Sequence, residues 1–528
     1  MGKYTSHHPV VFVLTFISYA FFHATRKTFS NVKSSVSDEW TPSFHNKTVQ
    51  EIKPDSIWNK HHMFDSTDDV EPFLGILDAS FMVAYAVGLF ISGMIGDRFD
   101  MRKVLAFGMC SSAITVFFFG CVFEWTSFYN KYVYVIIWIL NGLLQSTGWP
   151  NVVAVMGNWF GRSSRGFVLG LWSSCASVGN IIGALMVSSV LNYGYDYAFL
   201  LTSCTLFAGG LINFFGLVTT PRDLGLPVPD EPADMTITVT PDLNVNVEAD
   251  EITVTDAAGE YESDEEDSHT APLLGSSKQS ASVERPKAVG FCMALFLPGV
   301  ILYALAYACL KLVNYSFFFW LPFYLKGAFS WKETVADQIS IWYDIGGIIG
   351  GTLAGIISDR FQRRTIVVMP MLILGIPALL WYSNSPNDLV INAALMTLSG
   401  FFIGGVSNLV SAAISADLGR QEGLHGSSEA LATVTGIVDG TGSIGAAIGQ
   451  ILVPVIQQSF DWHAVFYLFM LMTFLTGVCI FPLFLREMRQ VLSSGGCSWF
   501  KSIWTAKPAQ TDPLSGENSG IPSNEHLE

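Results

Sequence analysis

Apolar residues run in blocks of about twenty from one end of the chain to the other, with polar residues gathered between them. The blocks lie at roughly 9–35, 72–96, 103–124, 131–156, 165–191, 197–219, 289–325, 337–358, 365–383, 390–414, 428–456 and 463–486. As a helix, each is long enough to cross about 30 Å of hydrocarbon. The pattern therefore predicts an all-α membrane protein of twelve transmembrane helices. No cleavable signal is apparent, so the first span is expected to act as its own insertion signal.

One polar connector occurs twice. G-M-I-G-D-R-F-D-M-R-K (93–103) joins spans two and three, and G-I-I-S-D-R-F-Q-R-R (355–364) joins spans eight and nine, 262 residues later. Glycine lets neighbouring helices approach, and an Asp at a helix end can pair with Arg to latch two helices. Either copy alone reads as an ordinary charged turn. Two copies after similar helices predict duplicated six-helix halves, 1–219 and 289–486, with a 36–71 lumenal loop in the first. Gly93, Asp97, Arg98, Arg102, Asp359, Arg360 and Arg364 are the candidate gating residues.

Composition agrees with burial in lipid. The 528 residues are 50% hydrophobic and 14% charged, with mean hydropathy +0.42. The net charge of −16 is mostly local, because residues 220–288 hold sixteen Asp and Glu against four Lys and Arg. That segment lacks apolar periodicity and reads as an acidic, disordered cytosolic linker between the halves. Without a basic patch, the chain is not read as a nucleic-acid binder. Seven of eight cysteines lie in or beside the spans, and no CxxC occurs, so neither a structural disulfide nor a metal site is expected, and no cofactor.

Nine basic residues in short loops fall on one side (Arg98, Arg102, Lys103, Arg162, Arg165, Arg360, Arg363, Arg364, Arg420) and three on the other (Lys131, Lys326, Lys332). The positive-inside rule then puts both termini, the linker and the 487–528 tail in the cytosol. Asn46-Lys47-Thr48 is a glycosylation sequon in the 36–71 loop, whereas Asn314-Tyr315-Ser316 lies inside an apolar run. The opening M-G-K-Y-T-S fits a myristoylation pattern but adds little beside a span starting at Pro9.

The candidate chemistry starts in span one. Tyr19, His23 and Arg26 fall on one helical face, with Lys27 beside them. A cation at membrane depth costs at least ~2.5–3.5 kcal/mol and normally faces a cavity or a partner. Arg suits phosphate and carboxylate, so this face is read as an anion site. The other reading, a cation pair snorkelling from a helix end, stays open at this point.

The two connector copies resemble the cytosolic loops of the major facilitator superfamily. G-W-P (148–150), N-W-F-G-R-S-S-R-G (158–166) and the Arg26-Lys27 pair narrow the resemblance to the organophosphate:phosphate antiporters. Further runs resemble the sugar-phosphate exchangers of the glucose-6-phosphate transporter family: H-A-T-R-K-T-F-S-N-V-K, L-K-L-V-N-Y-S-F-F-F-W-L-P-F-Y-L (310–325) and S-S-E-A-L-A-T-V-T-G-I-V-D-G (427–440). The resemblance covers the whole membrane portion. It implies the major facilitator fold, with Arg26 and Lys311 clamping a phosphoryl group between two pseudo-symmetric halves. Tyr19 is implied as a hydrogen-bonding neighbour and Asp344 as the acid that neutralises Lys27. His23, Tyr85, Trp149 and Asn314 complete the candidate substrate-binding set, although the tryptophan serves equally as packing. This sequence departs from the bacterial pattern in several places. Lys311 sits about one turn from the usual Arg, an Asp is replaced by Phe319, a Lys reads as Leu89, and a His falls within Cys175-Ala176-Ser177.

The leading expectation is alternating-access exchange of an organic phosphate or phosphonate-like anion for inorganic phosphate. Two uncompensated cations in an empty clamp would repel and hinder its return, which favours exchange. A second reading is a non-transporting sensor or assembly subunit, motivated by the missing polar contacts. A membrane-embedded enzyme has little support, since no HExxH, GxSxG or P-loop is present. The chain is read as functional as a monomer, with an accessory membrane protein left open. Family members suggest the endoplasmic reticulum. The acidic run before Leu273-Leu274 resembles a lysosomal sorting signal, and a solvated linker with incidental leucines is the alternative.

Overall fold

A computed structural model describes residues 5–41, 63–64, 67–96, 98–160, 165–226, 290–361, 363–419 and 431–493. Asn46, Asp97, Leu273 and Leu274 lie outside the described residues, as do most of the 220–288 and 487–528 segments. Every regular element among the described residues is a helix.

The first half comprises α1 (His7–Trp40), α2 (Thr67–Gly96), α3 (Met101–Phe117), α4 (Lys131–Gln145), α5 (Gly148–Trp159), α6 (Arg165–Trp172), α7 (Cys175–Val190) and α8 (Tyr195–Gly216). The second comprises α9 (Val300–Phe329), α10 (Glu333–Phe361), α11 (Thr365–Ser383), α12 (Leu389–Ser399), α13 (Leu431–Ser459) and α14 (Trp462–Ser493). Among the described residues, eleven helical segments are long and apolar enough to cross a membrane. The remaining predicted span is the α4–α5 pair, too interrupted to count as one helix.

The interruptions have local causes. Span four breaks at Ser146–Thr147, just before Pro150. Proline has no N–H, so the carbonyl four residues earlier loses its helical donor, and inside a membrane a neighbour must replace it. That carbonyl belongs to Ser146, and it accepts from Ser92 Oγ of α2 at 2.8 Å. Span five turns at Ser173–Ser174 between α6 and α7. Span seven starts later than its apolar run suggests, because Gly299 takes φ +88° and α9 opens only at Val300.

Large apolar side chains such as Phe107, Ile136, Phe215, Trp381 and Tyr467 are exposed on the outer surface, the expected state for helices bathed in lipid. Between the halves, α2 and α13 meet at both ends. A Cβ on Gly93 would come within 2.7 Å of the Ala432 carbonyl oxygen, and one on Gly75 within 3.3 Å of the Gln450 carbonyl oxygen. Tryptophan 149 also crosses between halves, its Nε1 donating to the Ser411 carbonyl at 3.2 Å. Those two residues are 262 apart, the same offset as the connector copies, so they meet across the pseudo-twofold relation. Gly93→Val is expected to hold one end of the seam open at a cost of about 1–3 kcal/mol to the closed form. Cross-linking of cysteines placed on the facing ends of α2 and α13 would read this, and an unchanged cross-linking yield would count against a tight seam.

Candidate functional site

The two halves line a cavity of about 50 Å³, room for a few waters at roughly 10–15 Å³ each. Tyr19, His23, Lys27, Trp149, Asn314 and Asp344 all line it, so the structure brings these sequence-predicted residues to one place. Asn180, Tyr315, Tyr343 and Asp439 line it as well. Arg26 and Lys311 are each 1% exposed and sit one layer behind the wall, screened by Tyr315 and Asp439.

Arg26 has no carboxylate within 4 Å among the described residues. Its Nη1 donates to the Tyr315 hydroxyl at 2.9 Å and its Nε to Gln145 Oε1 at 3.1 Å. The guanidinium lies 4.5 Å from the Tyr85 ring centre, and Nη2 is buried without a hydrogen-bond partner. A cation held only by neutral groups and a ring face keeps a spare N–H edge that an anion can take up. Tyr19 and Tyr85 pair their hydroxyls at 3.4 Å beside it.

Lys311 differs. Its ammonium donates to Asp439 Oδ1 at 2.7 Å and to Ser443 Oγ at 2.8 Å. The expectation that both clamp cations stand uncompensated in an empty site is therefore corrected for Lys311. Asp439 and Ser443 lie one turn apart on α13, so one helical face supplies both acceptors. Tyr85 and Tyr315 link the two cations, with their ring centres 5.5 and 4.9 Å from Lys311 Nζ.

The Lys27–Asp344 pair acts across the cavity rather than by contact. Both face the cavity and interact electrostatically, but no direct ion pair forms between them. Lys27 Nζ instead donates to the Phe318 carbonyl at 2.6 Å, which Ser30 Oγ also reaches at 2.9 Å. The reason is Pro322 within α9: its missing N–H leaves the Phe318 carbonyl without a helical donor. Asp344 accepts from Asn180 Nδ2 at 2.7 Å, and Asn180 Oδ1 meets His23 Nδ1 at 3.0 Å. Asn180, one turn beyond Ala176 on α7, thus gives polar contact in the stretch where the family's His is missing. Asn314 accepts from the Tyr343 hydroxyl at 2.8 Å and donates to Ser407 Oγ at 3.3 Å. Trp149 stacks beside Tyr19, ring centres 4.5 Å apart, and on Trp172 at 5.5 Å.

Further along α1, Lys33 forms a fully buried ion pair with Asp78 of α2 and donates to the Phe319 carbonyl at 3.2 Å. With Lys27 and Ser30 it ties α1 of one half to α9 of the other.

At the connectors, Asp100 caps α3 by accepting from the Arg102 backbone N–H at 3.0 Å, and Arg102 Nη2 lies 3.6 Å from its carboxylate. Arg98 and Arg360 sit at the corresponding helix ends. In the second copy Arg364 bonds Asp359 at 2.8 Å and Asp417 at 2.9 Å. Burial opposes the Arg364 charge, but the Asp417 and Asp359 carboxylates outweigh it and hold its pKa above the ordinary value.

Reasoning from the sequence missed Gln145, Asn180, Asp439, Ser443 and the Lys33–Asp78 pair. Asp439 carried a usable signal, being the sole charged residue in Leu431–Ser459, and an ionisable group inside a span is a candidate functional residue by default.

Comparison with known proteins matches residues 15–428 to the Major Facilitator Superfamily. The chain is 58% identical to sugar phosphate exchanger 3 of Xenopus laevis, over 93% of this chain and 95% of that protein. Identity to the Homo sapiens sugar phosphate exchanger 3 is 56%, over 92% and 95%. A more distant relative is the "Putative glycerol-3-phosphate transporter 1" of Arabidopsis thaliana, 36% identical over 93% and 90%.

Proposed function

The chain belongs to the Major Facilitator Superfamily and is a multi-pass membrane transporter rather than an enzyme; from that premise we propose that it exchanges a phosphorylated organic anion of the sugar-phosphate class for inorganic phosphate. The observation that carries this reading is Arg26, a buried cation with no carboxylate within reach among the described residues and an unpartnered Nη2. Lys311 is the second cation of the clamp, and Tyr19, His23, Tyr85, Trp149 and Asn314 shape the surrounding site. A tetrahedral phosphoryl group would bind the free Nη2 edge of Arg26 beside Tyr315 and take the place of Asp439 at Lys311, giving the guanidinium the charge-assisted hydrogen bond it otherwise lacks. The names of the relatives support transport over a non-transporting scaffold.

Both ends of the α2–α13 seam are closed around a cavity of about 50 Å³, a form suited to the occluded step of alternating access. At the basic-loop end the Gly93 approach to Ala432 closes the halves on each other, while the Arg364–Asp359–Asp417 cluster ties helix ends within the second half. Lys27, Ser30 and Lys33 on the α9 carbonyls latch the other end.

The test is competition against labelled-phosphate exchange in phosphate-loaded proteoliposomes. Sugar phosphates and glycerol 3-phosphate are expected to inhibit, whereas the parent alcohols at equal concentration do not. Equal inhibition by an alcohol and its phosphate would remove the phosphoryl group from the recognition scheme.

We also assign both termini to the cytosol, the 36–71 loop to the lumen of the endoplasmic reticulum or lysosome, and Leu273-Leu274 to sorting. The protein works as a monomer in this reading. Asn46→Gln is expected to abolish an endoglycosidase-sensitive mobility shift on gels. A wild-type protein from cells with no such shift would remove the support for a lumenal loop.

A further inference from the structure

We propose that Asp439 is a resident counter-anion for Lys311 that lets the empty site reorient, so that the transporter carries net anion flux as well as exchange. The inference rests on the phosphate-exchange reading above and extends it. Lys311 is buried with its ammonium 2.7 Å from Asp439 Oδ1 and 2.8 Å from Ser443 Oγ. The carboxylate lines the central cavity, and its second oxygen, Oδ2, is buried without a partner.

This arrangement differs from that at Arg26. The guanidinium meets only neutral partners, whereas Lys311 keeps a full negative charge against it when no substrate is present. A buried cation stripped of its partner is strongly unfavourable, so an exchanger whose cations are balanced only by substrate returns poorly when empty. Here Asp439 moves with Lys311 through the same half of the protein and removes that obstacle. Arg26 retains the remaining charge, spread over Gln145, the Tyr315 hydroxyl and the Tyr85 ring. Lys27 faces the cavity with Asp344 across from it, and His23 is held by Asn180, so neither removes Asp439 from Lys311. An arriving phosphoryl group takes the place of Oδ1 at the ammonium, and the carboxylate turns aside within the cavity.

The experiment compares labelled-phosphate uptake into proteoliposomes loaded with unlabelled phosphate and into phosphate-free ones, with potassium and valinomycin clamping the potential. Wild type, Asp439→Asn and Asp439→Glu are reconstituted at matched monodispersity, with Arg26→Ala as the background. Wild type is expected to show net uptake above that background. Asp439→Asn lowers the ratio of net uptake to exchange at least ~10-fold, since its empty site carries an unbalanced ammonium. Asp439→Glu restores most of the ratio. Should Asp439→Asn not fold, Ser443→Ala, which weakens the same grip on the ammonium, is expected to lower the ratio in the same direction. Robust exchange without net uptake in wild type overturns this inference while leaving the exchange reading intact. So does an unchanged ratio in Asp439→Asn. Absence of exchange in wild type overturns the phosphate reading and this inference with it.

Discussion

Lys33→Met is expected to destabilise the protein by about 3–5 kcal/mol, the usual result of stripping one partner from a buried ion pair. Lys33 and Asp78 are 1% and 0% exposed, and Asp78 Oδ1 already lacks a hydrogen-bond partner. Removing the ammonium leaves the carboxylate with no cation in contact, inside helices that exclude water. It also takes away the donor to the Phe319 carbonyl and the cation 4.1 Å from the Trp320 ring. The double variant Lys33→Met with Asp78→Leu should recover much of the loss, because matched apolar groups replace a buried pair at little cost. Thermal unfolding of purified protein measures both. A single variant as stable as wild type would mean that water reaches Asp78 and that the far-end closure is looser than described.

The second large effect concerns recognition. Arg26→Lys is expected to weaken phosphate binding roughly 10–100-fold, equivalent to one charge-assisted hydrogen bond of about 1.5–3 kcal/mol. The charge survives this change, but the planar fork does not. A lysine presents a compact ammonium that cannot hold Gln145, Tyr315 and an anion from one rigid plane. The concentration of phosphate giving half-maximal exchange measures the loss. An Arg26→Lys protein with wild-type affinity would show that charge alone matters at this position.

Much of this architecture can be read from the residues. Blocks of about twenty apolar residues specify spanning helices, because a backbone in hydrocarbon must satisfy its own hydrogen bonds. The repeated D-R-F connectors set the two halves, and Arg26 and Lys311 are conspicuous because charge in a span is costly. The burial of Tyr19 and His23 beside Arg26 follows from their spacing on one helix.

The pairings were much harder to read. Lys311 meets Asp439 across 128 residues and Arg26 meets Tyr315 across 289, contacts that helical periodicity does not encode. The Lys27–Asp344 expectation supplied the acid but overlooked a competing acceptor. Pro322 frees the Phe318 carbonyl, and that acceptor lies 2.6 Å from the Lys27 ammonium. Prolines are visible in any sequence; which neighbour fills the vacated hydrogen bond depends on how the halves dock. Lys33 was visible in the same run as Arg26, yet its role emerged only when α2 brought Asp78 beside it.

The measurement that bears most directly on the central claim is labelled-phosphate uptake into phosphate-loaded proteoliposomes, comparing wild type with Arg26→Ala and Lys311→Ala at matched monodispersity. The account predicts saturable wild-type uptake that falls to the protein-free background in both variants. A folded wild-type protein with no uptake, or an Arg26→Ala protein that exchanges at the wild-type rate, would contradict it.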